Sequence, residues 1–404
     1  MKYIVIVPDG MCDRPLEALG GKTPLEVCNI PNIAKMAMRG IVGKVNNVPP
    51  GMQPGSDVAN LSLLGYNPKE FYTGRGPFEA QSLGIKLKDT EMAFRCNLVT
   101  EKDGRMFDYS SGHISNKESA CLIKFLDKKL GSKYVKFYPG MSYRHILVVD
   151  VKKTNVNLKD LKCWPPHDIS GQTIEDHLPL GEDQELFRGL MLKSKDLLSS
   201  HKVNNIRRQE NKNIANMIWL WGGGFKPGVK NFKQKFHLTG SMISAVGLLN
   251  GIAMAMGLKS VAVPGITGYY DTDYSAKARY GINALKKTDF LFIHVEAPDE
   301  AGHNGHLEEK IKAMENIDKK IVGPILDAIE GKYKFRMLVC PDHPTPIAVR
   351  THTIDPVPFV MYGEGIHPNG IDEYSEKSLS RADIKDYGQG HKMIEEFLLQ
   401  AEIY

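Results

Sequence analysis

Three short apolar runs, residues 3–7, 290–295 and 337–340, are each followed within a few positions by carboxylates or imidazoles. Near-continuous apolar runs of this length mark strands buried on both faces, as in a sheet covered by helices on two sides. Ligands of open α/β sheets bind outside the carboxyl ends of the strands. Pro8-Asp9-Gly10, Asp299-Glu300-Ala301-Gly302-His303 and Pro341-Asp342-His343, with His352 beyond it, are therefore expected to meet at one rim although they are far apart in the chain.

The runs alternate with helical patterns at 32–38, 243–256, 274–285 and 306–328, and with strand patterns at 41–48 and 260–263. Strand–helix alternation with short connections predicts a doubly wound, mostly parallel sheet. From about residue 87 the texture changes. Strands at 92–100 and 105–109 around a turn at 101–104, a helix at 119–130, strands at 135–138 and 145–149, an irregular stretch at 151–184, a helix at 185–199 and a strand at 217–221 ending in Gly222-Gly223-Gly224 read as a smaller α+β domain. A chain of 404 residues exceeds one ordinary core. The expected organisation is thus one α/β domain made of 1–86 plus 228–404, interrupted by an inserted domain at 87–227.

Composition narrows the function classes. The net charge of +5 comes without a dense Lys/Arg block interleaved with aromatics, which argues against a nucleic-acid surface. No window reaches the length of apolar residues that a membrane span needs, and nothing at the N-terminus looks like a targeting signal, so a cytoplasmic location is expected. The six cysteines show no paired spacing, which fits reduced thiols.

The polar residues at the strand ends suggest metal chemistry. Asp9 closes a buried strand, a natural place for a hard-cation ligand. Asp299 and His303 are four apart and can share one face of a helical turn. Asp342 and His343 diverge in a loop, so each can serve one of two neighbouring metals, and His352 adds a third imidazole. This carboxylate and imidazole set, without thiolate, suits Mn²⁺, Zn²⁺, Co²⁺ or Mg²⁺. Ser56, in Pro54-Gly55-Ser56-Asp57-Val58-Ala59-Asn60, opens a helical pattern running to Leu64 and is an N-cap type. A serine hydroxyl needs a base or a metal to become a nucleophile, and a dinuclear site supplies one.

These residues lie within longer strings: Ile-Val-Pro-Asp-Gly-Met at the start, Thr23-Pro24-Leu25-Glu26, the Ser56 motif, Tyr72-Thr73-Gly74-Arg75-Gly76-Pro77-Phe78-Glu79-Ala80, and His294-Val295-Glu296-Ala297-Pro298-Asp299-Glu300-Ala301-Gly302-His303. In these strings the chain resembles, nearly end to end, the archaeal-type cofactor-independent phosphoglycerate mutases of the alkaline phosphatase superfamily. The resemblance implies two divalent metal ions, with Mn²⁺ the first choice. Asp299, His303 and His352 would hold one ion, and Asp9, Ser56, Asp342 and His343 the other. It also implies that Ser56 accepts the phosphoryl group of 3-phosphoglycerate and returns it to the other hydroxyl of the bound glycerate, giving 2-phosphoglycerate in glycolysis or gluconeogenesis. Such a site must exclude water and hold an anionic substrate. On the same reading His113 and Asp168 resemble acid/base positions of the insert, Arg95, Arg144 and His167 would bind substrate, and Lys277 would neutralise the moving phosphoryl group. Gly222-Gly223-Gly224 departs from the family pattern, where a polar residue is expected among the glycines.

Two rival readings follow from the same residues. A metal-dependent phosphatase or phosphonate hydrolase would share the metal ligands, and the length and His113/His167-Asp168 content of the insert favour the mutase over it. A non-catalytic scaffold would have no need of Ser56. The oligomeric state stays open.

Overall fold

Strand β1 (Lys2–Pro8) is buried from Tyr3 onward, as a run of Tyr, Ile and Val without a polar partner requires. The computed structural model describes residues 1–156 and 161–404; residues 157–160, part of the stretch expected to be irregular, lie outside the described residues. After β2 (Ile41–Asn46) come five strands, β3 (Glu91–Lys102), β4 (Arg105–Asp108), β5 (Val135–Met141), β6 (Arg144–Asp150) and β7 (Met217–Phe225). The chain then continues through β8 (Gly240–Ile243), β9 (Lys259–Ser260), β10 (Phe290–Val295), β11 (Phe335–Val339), β12 (Val357–Gly363) and β13 (Lys385–Gln389).

Two compact units result: Met1–Tyr72 with Gly228–Tyr404, and Thr73–Pro227. The first boundary falls at Tyr72/Thr73 rather than at residue 86, because helix Arg75–Ser82 packs on β3 and β7. Gly76 permits this packing, since a Cβ there would lie 2.2 Å from the Ala93 carbonyl.

The first unit is an α/β layer structure around an eight-stranded sheet of order β13-β2-β12-β11-β1-β10-β8-β9. All neighbours are parallel except around β12, which runs against both β2 and β11. Helices cover both faces: Pro31–Arg39, Tyr274–Leu285 and the segments from Leu307 to Ile329 pack together, while Ser56–Leu63 packs with Gly247–Ala255 and Gly390–Leu399. The fold is therefore the expected doubly wound, mostly parallel α/β sheet with a smaller inserted α+β unit. That second unit has a five-stranded antiparallel sheet with β3 pairing β4, β6 and β7, and its core includes Phe94, Phe187, Trp219 and Leu122.

Several local expectations are corrected. The apolar stretch from residue 243 is a strand that ends at Ile243, a link, and then a shorter helix Gly247–Ala255. The strand expected at 260–263 is the two-residue β9. The helix expected at 306–328 contains a π-helical stretch, Asp318–Val322. Gly222–Gly224 does not end a strand but lies within β7, where a Cβ at Gly223 would meet the Phe94 ring at 2.1 Å and one at Gly224 the Thr73 carbonyl at 1.9 Å. Packing thus requires glycine at two of these three positions. All six cysteines are free, and no described helix is long and apolar enough to cross a membrane.

Candidate functional site

Strands β11, β1 and β10 are adjacent and parallel, with Ile6 opposite Val339 and Pro8 opposite Val295. Their carboxyl ends share a rim, and the side chains that follow each strand meet there. The convergence needs glycine at two points. Gly10 has φ +61°, and a Cβ on it would come within 2.6 Å of Asp299 Cα and Thr345 Oγ1. A Cβ on Gly302 would lie 2.2 Å from the Thr345 carbonyl.

Two donor sets are brought together, Asp9 with Asp342 and His343, and Asp299 with His343 and His352, the ligand atoms of each set lying within 4.8 Å of one another. His303 belongs beside the second set: its Nε2 is 3.2 Å from Asp299 Oδ2 and 3.0 Å from His352 Nε2. His352 Nε2 in turn lies 3.5 Å from Asp299 Oδ1. Helix Ala297–Asn304 places Asp299 and His303 on one face, as the four-residue spacing predicts.

The imidazoles are oriented by backbone carbonyls, which can only accept. His303 Nδ1 donates to the Arg350 carbonyl at 3.0 Å and His352 Nδ1 to the Pro54 carbonyl at 3.3 Å. This leaves Nε2 of each ring as the nitrogen that faces the carboxylates and, once unprotonated, the one that could ligate a metal. Arg350 adopts φ +59°, a left-handed conformation that costs a non-glycine residue energy and that places its carbonyl on His303.

Asp342 is held by three donors: Gly10 N at 3.2 Å and His343 N at 2.9 Å on Oδ1, and Asn60 Nδ2 at 2.8 Å on Oδ2. Asn47 Nδ2 fixes the same loop through the carbonyls of Pro341, at 2.9 Å, and Asp342, at 3.1 Å. Ser56 is the first residue of helix Ser56–Leu63. Gly55, not Ser56, occupies the N-cap, and the hydroxyl makes no capping bond. Its Oγ instead donates to Asp9 Oδ2 at 3.5 Å and lies 3.3 Å from His343 Nε2. Ser56 thus opens the helix, as expected, with its hydroxyl engaged at the rim and not in a cap.

The rim crowds buried carboxylates and imidazoles together. Burial first, and then the neighbouring Asp342, Asp299 and Glu296, push the Asp9 carboxyl well above the usual carboxylate range. Burial also works against Asp299 and Asp342, but His303 and His352 outweigh it and hold Asp299 well below the range, and His343 and His294 hold Asp342 low. The hydrogen bond that His303 donates to the Asp299 carboxylate pushes the imidazole up to about 9. Asp9 Oδ1 is buried without a hydrogen-bond partner among the described residues. Three buried carboxylates at one rim, one with an orphaned oxygen, and three imidazoles with Nε2 directed at them fit divalent cations. The nearby Cys340 stays a thiol, its pKa raised by burial, and adds no thiolate to the set.

The other residues singled out in the sequence lie elsewhere. Lys277 is fully buried; its Nζ donates to the His294 carbonyl at 2.8 Å, and burial pushes its pKa down to about 8. One of its ammonium protons is thus held by the backbone of β10. The remaining five belong to the second unit and form one strip of ring contacts there. Arg95 lies 4.4 Å from the Trp221 ring centre and 2.9 Å from Glu79 Oε1, and Arg75 stands over the same indole at 5.6 Å. Trp221 touches His167 at 5.4 Å, His167 touches Tyr109 at 6.1 Å, Tyr109 touches Tyr143 at 5.9 Å, and Tyr143 touches His113 at 6.0 Å. Arg144 sits over Tyr143 at 5.4 Å, and Asp168 lies 3.5 Å from His167 Nε2. Arg95 is buried, while His113, Arg144 and Asp168 are exposed. Burial, aided by Arg75 and Arg95, lowers the His167 pKa against the pull of Asp168.

Sequence reading missed Asn47, Asn60, Thr345 and His294 as parts of the site. Asn60 had a signal, since it follows Ser56 by one helical turn. His294 had another: it is the one polar residue in the apolar run of β10, is fully buried, and its Nε2 lies 3.1 Å from Asp9 Oδ2.

Comparison with known proteins gives a consistent result. A family model described as 2,3-bisphosphoglycerate-independent phosphoglycerate mutase matches residues 37–204. A curated protein of that name from Methanosarcina acetivorans is 48% identical over 386 residues, 95% of this chain and 96% of its own. Another, numbered 2, from Methanothermobacter thermautotrophicus is 45% identical over 98% of this chain and 96% of its own. Among solved structures, a Pyrococcus horikoshii protein aligns with a TM-score of 0.82 at 29% identity, covering 100% of this chain and 98% of that one. The cofactor-independent phosphoglycerate mutase of Thermoplasma acidophilum gives a TM-score of 0.68 at 26% identity over 99% and 100%.

Proposed function

The chain belongs to the 2,3-bisphosphoglycerate-independent phosphoglycerate mutases, and on that premise we propose that it interconverts 3-phosphoglycerate and 2-phosphoglycerate through a phosphoserine at Ser56, beside a centre of two divalent metal ions. The observation that carries this reading is the position of Ser56 Oγ, 3.5 Å from Asp9 Oδ2 and 3.3 Å from His343 Nε2, between the two donor sets. Asp299, His303 and His352 would hold one ion, and Asp9, Ser56, Asp342 and His343 the other, with Mn²⁺ the first choice. When bound, the ions supply positive charge that lowers the hydroxyl pKa and offsets the charge of the transferring phosphoryl group.

The chain's own groups then divide the work. Asp9 Oδ2 is the acceptor to which the Ser56 hydroxyl donates, while His343 Nε2, as the nitrogen that would hold an ion, lies beside the same oxygen. The Oγ–P bond forms as the bond from phosphorus to the substrate 3-oxygen breaks, and the glycerate 3-hydroxyl regains a proton. The glycerate 2-hydroxyl then loses a proton and takes the phosphoryl group, and Ser56 recovers its hydrogen. The N–H groups at the start of helix Ser56–Leu63 suit the phosphate on Ser56. In the second unit, the strip from Arg95 to His113 offers guanidinium and imidazole groups on an aromatic bed, a surface suited to the substrate's anionic groups. His113 and Asp168 are the exposed acid/base candidates of that strip. Lys277, hydrogen-bonded to β10, would act through the field of its buried charge.

The test is a coupled enolase assay without 2,3-bisphosphoglycerate, on metal-stripped protein re-supplied with Mn²⁺, alongside Ser56→Ala and with free phosphate measured in parallel. The reading predicts metal-dependent isomerisation with little phosphate release, and a loss on the order of 10⁴-fold or more in Ser56→Ala. Phosphate release without isomerisation would move the protein to the hydrolases.

A further inference from the structure

Lys310 and Asp13 form an ion pair with no exposed side-chain surface, at 2.7 Å. Burying two charges is costly, and an apolar pair of similar volume commonly does as well for stability, so such a pair invites a search for a positional role. Neither residue is a metal ligand in the reading above. Each of the three Lys310 ammonium protons has an acceptor: Asp13 Oδ2, the Cys12 carbonyl at 3.1 Å and the Thr345 carbonyl at 2.9 Å. Asp13 in turn accepts from Ile347 N, at 3.1 Å on Oδ2. The pair therefore ties the loop after β1, which carries Asp9, to the loop after β11, which carries Asp342, His343 and His352. Lys310 itself projects from helix Leu307–Ile317, which follows the helix of Asp299 and His303.

The tie ends at Thr345. Its carbonyl is held by Lys310, its Oγ1 donates a short hydrogen bond to Asp299 Oδ1, and the same Oγ1 lies 3.4 Å from His343 Nδ1. Thr345 is fully buried between Gly10 and Gly302, the two glycines whose lack of a Cβ the convergence requires. A hydroxyl so enclosed can point in few directions.

We propose that Lys310, Asp13 and Thr345 form a positioning relay in which the buried ion pair fixes the Thr345 backbone and the Thr345 hydroxyl sets the carboxylate of Asp299, so that the relay governs metal affinity without touching metal or substrate. This rests on the metal-centre reading above. It is an outer-shell role, of the kind whose removal costs 10- to 100-fold in metal affinity.

The test is titration of Mn²⁺ into metal-stripped protein by calorimetry, for the wild type, Thr345→Val, Thr345→Ser and Lys310→Met, with melting of the metal-free proteins and KM at saturating Mn²⁺ measured alongside. Thr345→Val, nearly isosteric, is expected to bind Mn²⁺ at least about 10-fold more weakly. Its metal-free melting temperature should stay within a few degrees of wild type and its KM should be unchanged. Thr345→Ser should restore affinity, and Lys310→Met, if it folds, should weaken binding as Thr345→Val does. Wild-type affinity in Thr345→Val, or failure of Thr345→Ser to restore it, overturns the relay while leaving the metal centre intact. Absence of Mn²⁺ binding by the wild type overturns the metal centre and the relay with it.

Discussion

The two units gather opposite charge by opposite means. In the first, three carboxylates are buried at the carboxyl rim of a parallel sheet, and imidazoles held by backbone carbonyls face them. In the second, guanidiniums and imidazoles lie along a row of aromatic rings on an antiparallel sheet, partly open to solvent. The first suits cations, and its carboxylates follow directly on strand ends or lie one short helix beyond them. The second suits an anion, and its polar groups are set by edge-to-face ring contacts and by the Arg95–Glu79 ion pair. Charged groups of the two signs are thus gathered on separate scaffolds.

The comparison can be broken most sharply at Arg95. If its guanidinium is structural as well as functional, Arg95→Met should leave the half-buried Glu79 carboxylate without Arg95 and destabilise the second unit by about 3 kcal/mol, while Arg95→Met with Glu79→Gln recovers much of that loss. Chemical denaturation of the single and double variants reads this directly. Equal stability of wild type and Arg95→Met would show that the pair is dispensable and the strip free for substrate.

A second test separates the units by pH. His145 is buried, and its Nδ1 accepts from Gly140 N at 2.9 Å. Burial pushes its pKa down from 6.5 to about 3. Between those values the unfolded chain binds the proton and the folded chain does not, so stability is present above pH 6.5 and is lost as pH falls toward 3. From pH 7 to pH 5 the loss attributable to His145 is about 2 kcal/mol. Denaturation of wild type and His145→Gln at both values checks it, and an identical pH dependence in the two would remove His145 as the cause.

The smallest effect is expected at Trp221. Trp221→Phe weakens the cation–π contact with Arg95 and removes the Nε1 bond to Asn97 Oδ1, which together should cost about 1 kcal/mol. KM for phosphoglycerate should rise with it if Arg95 serves the substrate; an unchanged KM would restrict the indole to packing.

The metal end was the more legible in the sequence, for a physical reason. Asp9, Asp299 and Asp342 follow apolar strands, so a one-dimensional pattern already carried their three-dimensional placement. The partners of those residues were not legible in the same way. Thr345 and Asp13 sit in loops without periodicity, and Lys310 occupies a helix in which a lysine reads as a solvated face. Strands β12 and β13, with the reversed direction of β12, also went unread, because their pairing is set by contacts distant in sequence. The strip of the second unit was legible only as separate residues; it is joined by rings of Tyr109, Tyr143 and Trp221, whose spacing along the chain shows nothing of their contact.

The most direct test of the account is the number of divalent ions that each chain binds. Metal-stripped protein titrated with Mn²⁺ should take up two equivalents, and His352→Gln and Asp342→Asn should each lose one while keeping the other. Retention of both by either variant, or no uptake by the wild type, would contradict the assignment of these residues to two metal sites.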